Sequence, residues 1–235
     1  MRAARALFPS AAGEPKRYTA IPMEHTDIWT RWAMHYRDLG IDPTTICRDG
    51  IADKSKFDEA SSRILFIMRE PNDWPGGDMC QLMREGPRYQ VWHTIGRWAA
   101  GLLNGFPDFA AIDNTAAMRD ALHQIASINL KKASGGSSAD LSVINAFAFR
   151  DRALLREQIL TIAPSTIVAC GTWHELVWLL KLPVSPKEPR QVVTSSTLAA
   201  RVIPWVHPSR CDNRRTYQTL GELVSQPTAT AANAV

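Results

Sequence analysis

Three strand-like segments in this chain end abruptly in side chains that can do chemistry. Ile64 to Met68 stops at Arg69-Glu70-Pro71-Asn72-Asp73, Ser127-Ile128 runs into Asn129-Leu130-Lys131-Lys132, and Val202 to Val206 empties into His207-Pro208-Ser209-Arg210. A carboxylate can take a proton or stabilise a developing cation. A neutral imidazole can donate to a developing oxyanion, and a carboxamide donates and accepts at once. Other patterns carry less. His174-Glu175 begins a zinc-protease pattern, but Trp178 stands where its second His is required. Neither a P-loop nor a dinucleotide fingerprint occurs, and Gly135-Gly136-Ser137-Ser138 lacks the helix start that either needs, so it reads as a flexible loop.

Alternating strand-like and helical segments must position these tips. Ile28, Trp29, Trp32, Ala33 and Tyr36 have helical spacing within 22–46. Arg63 to Met68 reads as the first strand, followed by amphipathic helices over Tyr89–Leu103 and Thr115–Ala126. Ser127 to Leu130 reads as a short second strand. A helix over Asp151–Ile162 ends before Pro164, and Thr166 to Cys170 is a third strand. Thr172 is placed to cap a helix over Trp173–Lys181. Val202 to Val206 is a fourth strand, and a last helix covers about Asn213–Val224. Trp92, Trp98, Trp173 and Trp178 sit at helical spacing and read as packing.

Strands separated by helices imply an α/β fold, a parallel sheet covered on both faces. Pro204 cannot donate to a ladder, so its strand is expected at an edge or a bulge. Ligands in such sheets bind outside the carboxyl ends of the strands, where the three polar clusters fall.

The chain of 235 residues suits a single domain over 22–225, with flexible tails expected over 1–21 and 226–235. The N-terminus lacks the long apolar segment of a signal peptide, and no apolar run approaches a membrane span. Cys47, Cys80, Cys170 and Cys211 are scattered, with no Cys-x-x-Cys pair. Free thiols, a cytoplasmic location and no metal are therefore expected. The net charge is +4, but Arg2, Arg5, Lys16 and Arg17 against Glu14 concentrate most of it in the N-terminal tail. Charge alone thus gives no argument for nucleic acid.

The three clusters, in that order, resemble the motifs of the uracil-DNA glycosylase superfamily over about residues 60–225. Met68-Arg69-Glu70-Pro71-Asn72 is similar to the first motif, aligned on Pro71. Ser127 to Lys132 is similar to the segment ending the second strand, and Ile162 to Gly171 to the third-strand pattern. His207-Pro208-Ser209 is identical to the last motif. The resemblance implies a three-layer α/β/α fold with a four-stranded parallel sheet in the order 2-1-3-4. It implies a monomer, without cofactor, that flips a base out of DNA and hydrolyses its glycosidic bond.

On that resemblance Glu70 activates water, with Asp73 in reserve, and His207 stabilises the leaving base. Asn129 reads the base edge, and its amide can meet both O4 and N3–H of uracil. Tyr89 or Trp74 would stack on the base, beside Met68, Pro71 and Asn72. Lys131, Lys132, Ser209, Arg210, Arg214 and Arg215 would hold phosphates. The chain departs from the family at Met68, where a Gly is usual, and at Glu70, which replaces Asp, Asn or Ala. The first departure keeps open a member that binds nucleic acid or a partner without catalysis. A hydrolase of free nucleosides at the same rim is a third reading.

Overall fold

The computed structural model of the protein describes residues 27–136, 138–184 and 191–226. The expected tails lie outside these residues, apart from Gln226. In chain order the elements are α1 (Ile28–Asp38), β1 (Cys47–Arg48), β2 (Gly50–Ile51), α2 (Lys54–Glu59), β3 (Ile64–Met68), β4 (Gly77–Asp78) and α3 (Met79–Glu85). There follow α4 (Gln90–Asn104), α5 (Phe109–Ile112), α6 (Thr115–His123), β5 (Ile125–Asn129), α7 (Leu141–Arg150) and α8 (Arg152–Ile162). β6 (Thr166–Cys170), α9 (Trp173–Leu179), β7 (Val193–Ser195), β8 (Ala200–Trp205) and α10 (Asn213–Ser225) complete the described chain.

A six-stranded sheet, in the spatial order β2-β5-β3-β6-β8-β7, organises the molecule. β5 with β3, β3 with β6, and β6 with β8 are parallel; β2 and β7 add antiparallel at the two edges. The sheet is thus mixed and six-stranded, which corrects the four-stranded all-parallel expectation. The added strands have two and three residues, too few for alternation to announce them. The edge position expected for the Pro204 strand is corrected as well, because β7 lies outside it. β7 pairs only with Ala200 to Val202. Pro204, beyond that stretch, therefore needs no outer donor among the described residues, and the missing N–H costs nothing there.

All five residues of β3 are buried, and the pleat sends alternate ones to opposite cores. Leu65 and Ile67 join Trp32 and Tyr36 of α1, Leu155 of α8 and Leu176 of α9. Ile64, Phe66 and Met68 join Leu82 of α3, Trp92 and Trp98 of α4, Leu122 of α6 and Leu220 of α10. Each such side chain contributes about 1.5–3 kcal/mol of transfer free energy, which holds β3 firmly at the sheet centre.

Helix ends follow local chemistry. Asp27, Asn114, Asp140 and Asp212 accept from the first-turn N–H groups of α1, α6, α7 and α10. α4 ends at Gly105, whose φ of 71° suits a residue without Cβ. Thr172 departs from its expected role. It precedes α9 but makes no side-chain cap bond, and its Oγ1 donates to the Ile67 carbonyl at 2.9 Å instead. That bond ties the start of α9 to the central strand. α7 escapes the sequence reading because Leu141, Val143 and Phe149 are exposed and blur its apolar face.

Candidate functional site

The parallel pairing of β3 with β5 continues beyond the strands. Leu130 N–H donates to the Met68 carbonyl at 3.0 Å, and Lys131 N–H to the Arg69 carbonyl at 3.0 Å. Gly135 N–H then donates to Pro71 O at 2.8 Å, and Asp73 N–H to Gly135 O at 3.1 Å. The stretch read as a flexible loop is therefore corrected over its described part: it is laced to the first polar cluster. Gly135 leaves room for the Glu70 carboxylate, which a Cβ there would displace.

That carboxylate is 7% exposed and bound through Oε2 to Lys131 Nζ at 2.5 Å. Lys131 Nζ also donates to Ser134 O at 3.2 Å. Glu70 Oε1 has no hydrogen-bond partner among the described residues, so one oxygen is anchored while the other is left to a water or ligand.

Asn129 ends β5 on the same face as Met68, its register partner. Its backbone N–H and its Nδ2 both donate to Asp49 Oδ2, at 2.8 and 3.2 Å, and Nδ2 lies 3.6 Å from Met79 Sδ. A carboxylate only accepts, so the amide nitrogen must face Asp49. One amide N–H is thereby given to Asp49 and the other lies against Met79 Sδ, a weak acceptor, which corrects the expectation that this amide offers a donor to the base as well as an acceptor. Its Oδ1 alone is left to the cavity.

His207 follows β8. Ser209 N–H donates to His207 Nδ1 at 3.3 Å, and Ser209 Oγ lies 2.8 Å from the same nitrogen. Nδ1 is thus an acceptor, which places the proton of the neutral ring on Nε2. Burial, with the Arg69 guanidinium nearby, lowers the His207 pKa to about 4. The ring is neutral at physiological pH, with an Nε2–H donor that has no partner among the described residues.

These tips meet. Glu70, Asn129 and His207 line one cavity of about 450 Å³, together with Met68, Pro71, Asn72, Asp73, Trp74 and Tyr89. Every residue expected to act on or touch a base is in its wall. Met79, Leu82, Val91 and Trp92 supply further apolar surface, so the cavity is largely apolar with a few polar groups in its wall. Met68 lies in the wall and does not fill the space. Tyr89, at the N-cap position of α4, keeps 47% of its surface exposed. Asp73 has a φ of 46° and is solvent-exposed.

A second concavity of about 370 Å³ adjoins the first and shares Glu70, Asn72, Val91 and His207 with it. Its remaining wall is polar: Arg69, Ser138, Ser209 and Arg210, beside Gly136 and Ala139. The carboxylate and the imidazole stand between an apolar cavity and an arginine-lined groove.

The expected phosphate contacts are redistributed. Ser209 and Arg210 line the groove. Lys132 does not: its ammonium is fully buried, 2.7 Å from Asp49 Oδ1 and 5.1 Å from the Trp32 ring centre. Lys131 is committed to Glu70. Arg214 lies over Phe109 and lines a different cavity. Arg215 is exposed and lines neither, and its N–H donates to Asp212, a carboxylate that makes the α10 N-terminus a poor anion seat.

Asp49, Arg69 and Met79 belong to the site and carry no role in the sequence reading. Arg69 adjoins Glu70 and could have been weighed with it. Asp49, in Cys47-Arg48-Asp49-Gly50, has no local signal, since only the fold brings it to Asn129. Compared with protein-family models and with curated protein sequences, the chain matches none.

Proposed function

We propose that the protein is a DNA glycosylase that hydrolyses the N-glycosidic bond of uracil or a related deaminated base. The reading rests on one observation: Glu70 and His207 are shared between a largely apolar cavity and an arginine-lined groove. A flipped base in the cavity, with its backbone in the groove, puts the glycosidic bond beside both side chains. The sheet adds support. Its parallel strands, counted along the chain, lie second, first, third, fourth in space, the order that the uracil-DNA glycosylase resemblance implies.

In this reading Glu70 Oε1 takes a proton from water while the water oxygen bonds to C1′. The C1′–N bond breaks with its electron pair passing to the base, whose oxyanion receives the His207 Nε2–H. A donor of that kind is worth roughly 2.7–4 kcal/mol of barrier. Lys131 holds Glu70 in place, and Tyr89 or Trp74 covers the ring. Arg69 and Arg210 meet the backbone phosphates.

The test uses labelled oligonucleotides carrying uracil, hypoxanthine or xanthine, single- and double-stranded. Base release by the wild type that falls at least a hundredfold in Glu70→Gln, but less than tenfold in Asp73→Asn, supports the assignment. Oligonucleotide binding without release would instead favour a non-catalytic binder, and turnover of free nucleosides alone a nucleoside hydrolase.

A further inference from the structure

Behind the cavity lies a charged network that the proposed chemistry does not use. Asp49 is 3% exposed and Lys132 is fully buried. Their ion pair is supplemented by Gln158 Nε2, which donates to Asp49 Oδ1 at 3.0 Å and to the Asp49 carbonyl at 3.1 Å. A buried ion pair is seldom the most stable filling for a core, and specificity is one reason to keep it. Here the pair holds an acceptor against Asn129. Asp49 Oδ1 takes Lys132 and Gln158, and Asp49 Oδ2 takes the backbone N–H and one amide N–H of Asn129. With Nδ2 also against Met79 Sδ, rotating the Asn129 amide by half a turn would set its carbonyl oxygen against a carboxylate. The orientation is locked.

We propose that Asp49 is the positioning residue that sets which base the cavity accepts, by presenting Asn129 as an acceptor only. Such a site reads a ring N–H. Deamination creates that feature: N3 of cytosine and N1 of adenine are acceptors, and in uracil and hypoxanthine the same positions carry a hydrogen. Oδ1 attracts the deaminated ring and opposes a lone pair on the parent. A freely rotating carboxamide would accommodate either. The inference rests on the glycosylase reading for the nature of the ligand, but it concerns recognition and not bond cleavage.

The experiment measures kcat/KM for release of uracil, 4-thiouracil and cytosine from oligonucleotides, together with equilibrium binding of the free bases, for the full-length protein. Because Asn129 has no N–H left for O4, the wild type should treat uracil and 4-thiouracil alike, within about threefold, and disfavour cytosine by about a hundredfold or more. Asp49→Leu combined with Lys132→Met removes the acceptor without stranding the buried ammonium. With no acceptor at 49, Asn129 Nδ2 is free to turn toward the cavity. Uracil should then weaken and cytosine strengthen, closing their ratio by about tenfold or more. Simple destabilisation would lower both bases together.

A folded double variant with the wild-type ratio overturns the role of Asp49. A tenfold preference of the wild type for uracil over 4-thiouracil overturns the acceptor-only reading, and it decides the matter even if the variant fails to fold. Base binding with the expected selectivity but without release would sink the glycosylase reading and leave this one standing. Absence of any base binding sinks both.

Discussion

His207 shows how few atoms decide a protonation state. Ser209 places its proton on Nε2, while burial and Arg69 bring its pKa down to about 4. The ring therefore stays neutral across the range in which a carboxylate is ionised. An NMR titration should give His207 a midpoint near 4, and the rate of base release should show no inflection from this residue between about pH 6 and 8. The folded pKa is below the unfolded one, so the unfolded chain binds this proton more readily. The contribution of His207 to stability is complete above about pH 6.5 and is lost as pH falls toward 4. A midpoint near 6.5 would remove the electrostatic account.

At the scale of elements, α1 does more than cover the sheet. Tyr36 OH donates to Asp151 Oδ2 at 3.1 Å and accepts the Lys132 backbone N–H at 2.9 Å. Burial, with Asp151 beside it, raises the Tyr36 pKa, so the phenol remains a donor. Trp32 is fully buried under Lys132 Nζ. The helix thereby clamps the segment that carries Asn129, Lys131 and Lys132. Tyr36→Phe leaves a buried N–H unpaired and should cost about 1–3 kcal/mol in urea denaturation. The melting transition should remain cooperative, since the apolar packing of the ring is kept. A change below about 0.5 kcal/mol would mean that water replaces the hydroxyl.

At the scale of the whole molecule, few of the described cations face the groove. Lys131 and Lys132 are spent inside the protein, and Arg214 and Arg215 lie away from the groove. Arg69 and Arg210 remain there. Two phosphate contacts give a slope of log K against log salt of roughly −1.4 to −1.8. Anisotropy titrations between about 50 and 200 mM salt measure it, and Arg210→Ala should reduce its magnitude by about 0.7–0.9. A slope steeper than about −4 would mean a larger basic surface than the described residues present.

The amino-acid sequence by itself determined the four longer strands, most of the helices, and the polar tips where three strands end. These are local properties: buried strands read as apolar runs, helices repeat every 3.6 residues, and a core strand must end in residues that tolerate water. The clusters that hold Glu70, Asn129 and His207 were legible because strand ends in a parallel sheet share one rim, and the family resemblance singled out the three residues within them. Only the tertiary structure decided that β2 and β7 close the edges, that Gly135 makes room for the Glu70 carboxylate, and that Lys132 points inward to Asp49. Each of those outcomes depends on residues distant in the chain becoming neighbours, where one buried charge must find its partner whatever its sequence position suggests. Charge type along the chain therefore could not tell Lys132, a core cation, from Arg210, which lines a groove.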